Sequence, residues 1–367
     1  MIDRVIAEID VNQLKTNIDT IKSLIAPRPL FVTVKANAYG HGIIKISKQY
    51  EKLGVDTLCV ASFYEGLEIR DKGVKTNILI LAPVPTCKDI IKEGIKKNIS
   101  FTVCSYELSD FISEVAKDIG KEALVHVKVD TGMSRVGVMP SEAFEFINYT
   151  KNLPFVKCVG VFTHLAAADD INEENFTEGQ IEIMKDLKEK IGDESIIFHV
   201  ANSAGILYYP EAYFDAVRGG IVVYGYMDKS LREKYPIRPV LTFKSHIIHI
   251  KTIESGVTIG YNRTFVTDRK TRVATVSCGY GDGYPRALSN KGYVYVNGQR
   301  AKIIGRICMD IFMIDVTDIK AELFDDVTLY DWHYEETDIE NIAGELGTIS
   351  YELLTQISAR VKRVYKE

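Results

Sequence analysis

The stretch LFVTVKANAYGHGIIKISKQYEKLGVDTLCV, Leu30 to Val60, reads as strand, loop, helix and strand. Leu30–Val34 and Thr57–Val60 are short, almost wholly apolar runs, as expected of strands covered on both faces. Ile43–Leu53, between them, spaces its apolar residues for one face of a helix. Two parallel strands need a crossover of this kind. The rhythm continues outward through Ile78–Leu81, Phe101–Val103, Leu124–Val129, Cys158–Phe162, Ile196–Val200 and Phe214–Val217. Amphipathic stretches lie between these runs, among them Tyr64–Lys72, Glu107–Ile119 and Glu178–Ile191. The class is α/β, and eight such strands fit a closed (β/α)8 barrel. An open doubly wound sheet has the same periodicity, because a pattern of runs cannot see closure. The barrel is the favoured reading.

Beyond Lys234 the rhythm changes. Leu241–Ile253, Arg272–Ser277, Ile311–Val316 and Asp326–Leu329 are strand-like, with one helix near Ile339–Leu346. Asn297-Gly298 interrupts Tyr293–Ile304 and supplies the two positive-φ positions of a tight hairpin turn. The expected organisation is a barrel over residues 11–233 followed by a mostly antiparallel β domain over 234–367. Residues 1–10 would add a strand to that second domain.

Composition narrows the function. The 367 residues are 46% apolar and 26% charged, with a net charge of -5, so no global positive field favours nucleic acid. The basic tail Arg360, Lys362, Arg363 reads as a solvated end. The opening MIDRVIAEIDVNQL is broken by Asp3, Glu8 and Asp10, unlike a signal peptide. No apolar run approaches the roughly 20 residues that span a bilayer. Six scattered cysteines without a CxxC pair read as reduced core thiols, and the cytoplasm is the expected compartment. The seven histidines lack metal-ligand spacing, with His246 and His249 expected on opposite faces of a strand, and no metal site is expected.

Barrel enzymes carry their working groups at the C-terminal ends of the strands. Those ends offer Lys35, Lys128, Asp130, Arg135, His164, Asn202, Ser203, Arg218, Gly219 and Gly220. Such cations and small donors suit an anionic ligand. Each also has a plain structural reading. Lys35 could snorkel into water, or enter a crowded pocket where desolvation would free its amine for Schiff-base chemistry. Arg218 could be a structural ion pair. Ser203 could cap the following helix, which is also where a phosphate would bind. Gly219-Gly220 permits a close approach to a ligand or simply a turn. The run Cys278–Gly283 is not a dinucleotide loop, since Tyr284-Pro285-Arg286 does not open an apolar helix.

VKANAYGHG (Val34–Gly42) resembles the alanine racemase family. KVDTGMSRVG (Lys128–Gly137), THLAAAD (Thr163–Asp169), ANSAG (Ala201–Gly205) and VRGGIVVYG (Val217–Gly225) follow in that family's order. GYNRTF (Gly260–Phe265), GYGDGYPRALSN (Gly279–Asn290) and GRICMD (Gly305–Asp310) complete the series across the second domain. Gly219, where the family usually has proline or a bulky residue, and Lys362 in Arg-Val-Lys-Arg depart from the pattern.

The resemblance implies a barrel that binds pyridoxal 5′-phosphate (PLP), a β domain, and interconversion of L- and D-alanine. Lys35 would carry PLP and act as one catalytic base. Tyr261 of the partner subunit would be the other, since one rigidly held base cannot easily serve both faces of the α-carbon. His164 and Arg263 are the candidates for favouring its phenolate, and His164 would lie near the cofactor ring. Arg218 would face the pyridine nitrogen; a guanidinium cannot accept a proton there, so the ring would stay neutral and a weaker electron sink. Arg135 would bind the phenolic oxygen and the substrate carboxylate, held by Lys128, a candidate for carbamylation. Tyr39, Ser203, Gly220, Ile221 and Tyr351 would bind the phosphate, with Asn202 close by. Met309 and Tyr280 of the partner subunit would narrow the entrance to small substrates. A homodimer follows from that arrangement. Racemisation of serine or a basic residue is the main alternative; a barrel-type decarboxylase and a PLP carrier fit less well.

Overall fold

The computed structural model describes residues 3–367, leaving Met1 and Ile2 of the expected N-terminal strand segment outside the described residues. The chain divides into two compact units. One comprises Lys15–Ala38 and Ile43–Ile237. The other comprises the chain up to Leu14, Tyr39–Gly42 and Arg238–Glu367.

In chain order, β1 (Val5–Asp10) belongs to the second unit. The first unit is built on β2 (Leu30–Thr33), β3 (Thr57–Val60), β4 (Asn77–Ile80), β5 (Ile99–Val103), β6 (Ala123–Lys128), β7 (Val156–Phe162), β8 (Ile197–His199) and β9 (Val217–Gly219). Every residue of β2, β3 and β5 is buried, which explains why their sequences do not alternate. The parallel order is β8-β7-β6-β5-β4-β3-β2-β9, and one parallel bridge between His199 and Ala216 completes the ring. The favoured barrel is therefore the fold.

Its helices are α1 (Val11–Ile25), α2 (Ile43–Lys52), α3 (Phe63–Asp71), α4 (Lys88–Lys96), α5 (Tyr106–Ile119), α6 (Pro140–Asn152), α7 (Glu174–Ile191) and the short α8 (Ser203–Tyr208). Local chemistry sets their ends. Ser62 and Glu65 form a reciprocal capping box at the start of α3, and Gly120 ends α5 in the left-handed conformation. α2 buries Ile43, Ile46, Ser47 and Tyr50, the residues of one helical face.

The second unit contains β10 (Leu241–Ile253), β11 (Thr258–Ile259), β12 (Phe265–Val266), β13 (Thr271–Val276), β14 (Tyr293–Val296), β15 (Gln299–Ile304), β16 (Phe312–Asp315), β17 (Asp326–Tyr330) and β18 (Lys362–Lys366). The main sheet runs β13-β16-β15-β14-β17-β10-β1-β18, and β13 pairs with β10 as well. All its pairings are antiparallel except β1 with β18. The long β10 serves β1 and β17 with its first half and β13 with its second, changing register between Ile247 and His249. His246 in this strand is buried and His249 exposed. Asn297 (φ 50°) and Gly298 (φ 73°) form the tight turn between β14 and β15.

Two expectations are corrected here. α9 (Ile339–Leu346) is followed by a second helix, α10 (Ser350–Thr355), which is too short to show a periodic pattern. The basic tail is not a solvated end. Paired with β1, it places Arg363 against the carbonyls of Gly40, Ile357, Ser358 and Val361, and Lys362 against Asp3. No helix of the described residues is long and apolar enough to cross a membrane.

Candidate active site

Lys35 follows β2 and opens an unusual piece of backbone. Ala36, Asn37, Ala38 and Tyr39 have φ of 51°, 56°, 54° and 49°, a left-handed turn of four L-residues. Each such residue costs roughly 1–2 kcal/mol, so the turn needs outside support. Glu65 supplies much of it. One carboxylate oxygen accepts from Ala36 N at 2.7 Å, and the other from Ala61 N at 2.8 Å and Ser62 N at 3.1 Å. Asn37 Oδ1 accepts from Ile43 N at 2.8 Å and closes the far end of the loop. Alanine at 36 and 38 keeps the crowding to a single methyl group.

The amine of Lys35 lies below the ordinary lysine range. Burial is the main cause and the Arg135 charge adds to it, while Glu65 and Cys59 oppose. Among the described residues nothing accepts a hydrogen bond from its Nζ. The shift favours the free amine that Schiff-base chemistry uses.

Arg218, in β9, is buried and has five N–H donors to satisfy. Nη1 donates to His199 Nδ1 at 2.8 Å and to the His199 carbonyl; Nη2 donates to Thr163 O at 2.6 Å and Val200 O at 2.9 Å. That engages four donors and leaves the Nε–H without an acceptor among the described residues. The guanidinium also lies 5.3 Å from the centre of the Phe162 ring. Burial lowers its pKa to about 10 against the pull of the Cys59 thiol, so it remains a cation at neutral pH.

One tautomer follows. Arginine only donates, so His199 must accept at Nδ1 and carry its proton on Nε2. That proton is given to His126 Nδ1, 3.0 Å away. Burial, then the Arg218 charge, pushes His126 down to about 3 and His199 well below the usual range. Gly160 makes room for this pair, since a Cβ there would overlap the His126 ring. Cys59, buried beside Arg218 and Lys35, is pushed up to about 12 by burial and stays a thiol.

β6 ends in Lys128. Burial first, then the Arg218 charge, lowers its amine to about 6. The loop that carries Arg135 is folded around Asp130, whose carboxylate accepts from Gly132 N at 3.0 Å, Ser134 N at 2.9 Å and Arg135 N at 3.1 Å. Gln180 of α7 ties this loop to the next one. Its Nε2 donates to Thr131 Oγ1 at 2.9 Å and His164 O at 3.2 Å, and its Oε1 accepts from Ala166 N at 2.9 Å. Thr131 and Thr163 share a hydroxyl hydrogen bond of 2.7 Å. His164 is held neutral by desolvation and by the surrounding charges of Arg218, Lys128, Arg135 and Lys35. Those five side chains therefore form one electrostatic cluster.

A second group lies around the start of α8. Here the capping expectation is corrected: Asn202, not Ser203, caps the helix, because its longer side chain reaches Gly205 N at 2.9 Å. Ser203 Oγ instead accepts from Gly220 N at 3.0 Å and Val222 N at 3.3 Å, which gathers the backbone around Gly220 and Ile221.

The remaining candidates belong to the second unit. Tyr39 is buried and meets Tyr351 of α10 edge-on, with ring centres 5.8 Å apart. Tyr261 stands 69% exposed on a turn in which Gly260, Asn262 and Arg263 all have positive φ. Arg263 Nε donates to Thr258 Oγ1 at 3.1 Å. Tyr280 and Met309 sit on adjacent loops, with side chains 42% and 53% exposed. Among the described residues no group of three or more His, Cys, Asp or Glu could hold a metal ion.

Sequence reading passed over Glu65, His126, Gln180 and His199. A signal existed for two of them. His126 and Lys128 are two apart in a strand and share a face, and His199 is the polar residue of an otherwise apolar run.

Comparison with known proteins settles the family. Residues 9–228 match the model described as "Alanine racemase, N-terminal domain", and residues 240–365 match "Alanine racemase, C-terminal domain". The chain belongs to the alanine racemase family, a family of isomerases. It is 38% identical over 369 residues to the alanine racemase of Methanococcus maripaludis, covering 98% of each chain. It is 37% identical over 368 residues to that of Clostridium novyi, covering 98% of this chain and 94% of the relative. The alanine racemase structure from Clostridium difficile 630 superposes with a TM-score of 0.94 at 38% identity, covering 100% of this chain and 97% of that one. The Bartonella henselae alanine racemase, solved with covalently bound pyridoxal phosphate, gives a TM-score of 0.89 at 30% identity, covering 100% of both chains.

Two outcomes follow from the site's construction. Glu65→Ala should cost about 2 kcal/mol in chemical denaturation, the scale of a hydrogen bond to a charged group. Glu65→Gln should recover part of that; an unchanged midpoint in Glu65→Ala would remove Glu65 from the support of the turn. In nitrogen-15 spectra, His126 and His199 should keep neutral imidazole patterns from about pH 5 to 9, because burial and the Arg218 charge hold both well below the unperturbed value of about 6.5. A titration step near 6.5 in either residue would contradict the assigned tautomers.

Proposed function

We propose that the chain interconverts L- and D-alanine with pyridoxal 5′-phosphate carried on Lys35, and that Tyr261 of the partner subunit is the second base. The observation that carries this reading is the Arg218 accounting. Four donors are engaged and one N–H remains, in the same charge cluster as a lysine amine of depressed pKa. A pyridine nitrogen is an acceptor that such a lone donor suits, and the surrounding cations suit a phosphorylated, anionic group.

The residues fit that cofactor. Lys35 would hold it, Arg218 would donate to its ring nitrogen, and His164 would lie beside the ring. Ser203, Gly220, Ile221, Tyr39 and Tyr351 would take the phosphate, with Asn202 fixing the start of α8. When bound, the group supplies a conjugated ring that spreads the electron pair left at the α-carbon. A pure donor at its nitrogen would leave that ring unprotonated, which would limit the spreading and disfavour transamination.

The proton work belongs to the chain. The Lys35 amine takes the α-proton from one face while the Tyr261 hydroxyl gives a proton to the other; the reverse reaction exchanges the roles. Arg135 binds the substrate carboxylate. The exposure of Tyr261 supports its service to a neighbouring subunit, and Met309 and Tyr280 would arrive with it to limit substrate size. Lys128, as a buried and largely neutral amine, is suited to attack carbon dioxide and release a proton. The resulting carbamate would carry a negative charge that attracts Arg135.

A panel of L-amino acids, followed by chiral chromatography, tests the reaction. D-alanine should be the dominant product; dominance of D-serine would reassign the substrate, and release of carbon dioxide would overturn the racemase reading. Lys35→Ala should lose the yellow colour of the holoenzyme. Tyr261→Phe should keep the colour but lose solvent deuterium incorporation from one enantiomer far more than from the other; equal loss from both would exclude the two-base assignment. Protein equilibrated with carbon-13 bicarbonate should show a carbamate resonance that is missing in Lys128→Ala. Its absence from the unmutated protein would leave Lys128 an ordinary amine.

A further inference from the structure

Asp282 is the most completely enclosed carboxylate of the second unit, and nothing in the proposed reaction uses it. Its side chain is 1% exposed. Oδ1 accepts from Arg4 Nη2 and from Arg360 Nε at 2.8 Å, and Oδ2 accepts from Gly279 N at 2.9 Å. Its carbonyl accepts from Ser358 N at 3.1 Å. Two guanidinium groups from opposite ends of the chain thus meet on one buried charge. A buried carboxylate is stable only with such partners.

The same two arginines also hold the neighbouring loop. Arg360 Nη1 pairs with Asp310 Oδ1 at 2.9 Å, and its Nη2 donates to Met309 O at 3.3 Å. Arg4 Nη1 donates to Asp310 O at 2.9 Å. Between the loops, Tyr280 N donates to Cys308 O at 3.0 Å and Gly281 N to Met309 O at 2.9 Å. There is no slack in this joint. A Cβ at Gly279 would overlap the carbonyls of Cys308 and Met309, and one at Gly281 would overlap the Arg360 guanidinium. Yet the side chains of Tyr280 and Met309 stand out from it, about half exposed.

From this we infer that Asp282 is a positioning residue that welds residues 279–283 and 306–311 into one rigid piece, and so fixes the gap between Tyr280 and Met309. If those side chains narrow the substrate entrance, which rests on the function proposed above, Asp282 sets the size of amino acid admitted without touching it. Asparagine has the same shape but lacks the charge that draws both guanidinium groups together. Replacing Asp282 by it should loosen both loops at once.

The test compares holoenzyme of the unmutated chain, Asp282→Asn, Arg360→Gln and Arg360→Lys. Amide hydrogen exchange should speed up about tenfold in both loops together in Asp282→Asn, as for a shared local unfolding unit. The kcat/KM for 2-aminobutyrate relative to alanine should rise about fivefold, a part of the roughly 10- to 200-fold by which a single methylene is discriminated. The kcat for alanine should stay within about twofold, as expected when the catalytic groups are untouched. Arg360→Gln should follow the same pattern, and Arg360→Lys, which keeps the charge, should fall between. Arg360 is partly exposed, so its variants carry the test should Asp282→Asn fail to fold. Loops that exchange independently, or an unchanged preference for alanine, would overturn the inference. Lack of alanine racemisation by the unmutated chain would defeat the proposed function instead, while the exchange result would still decide whether Asp282 joins the loops.

Discussion

Arg218 gives four N–H groups to three carbonyls and one imidazole, all inside the barrel and sealed from water. A guanidinium so placed can neither turn nor lose its proton near neutral pH. Much of the surrounding chemistry is a response to that fixed charge. His199 must present an acceptor to it, and His126 must then accept from His199. Thr163 and Val200, just past the ends of β7 and β8, contribute carbonyls. The arginine side chain is thus held by the chain just past the ends of β7 and β8, with β9 carrying its backbone.

The electrostatics follow the same centre. Lys35, Lys128 and His164 are all pushed toward their neutral forms, and burial is the largest cause in each. Cations then reinforce it: Arg218 leads for Lys128 and His164, and Arg135 for Lys35. The barrel thereby collects positive charge suited to an anionic ligand while shifting its two lysine amines toward their reactive, uncharged forms. Carboxylates stay at the margin. Glu65 supports the left-handed turn and Asp130 folds the Arg135 loop, each holding backbone N–H groups rather than the reacting centre.

Much of this was legible in the sequence. The eight barrel strands stand out because strands covered on both faces are written as unbroken apolar runs. The β14–β15 turn was marked by Asn297-Gly298, a pair with a specific backbone requirement. What escaped reading depends on contacts between distant segments. The left-handed turn after Lys35 is sustained by Glu65, and no local pattern in KANAY encodes handedness. Ser203 looks like a cap until the reach of Asn202 is known. Arg360 and Arg363 look like a basic tail until β18 pairs with β1. The His126–His199 pair needs barrel curvature to bring β6 and β8 face to face, and periodicity carries no curvature.

In the proposed function, Arg218 would offer the cofactor's ring nitrogen a donor and never an acceptor. Nitrogen-15 spectroscopy of the holoenzyme, loaded with pyridoxal 5′-phosphate labelled at the ring nitrogen, reads this directly. The expected result is the chemical shift of an unprotonated pyridine that does not move between about pH 6 and 9, since a guanidinium remains charged throughout that range. A pyridinium shift at neutral pH would contradict it.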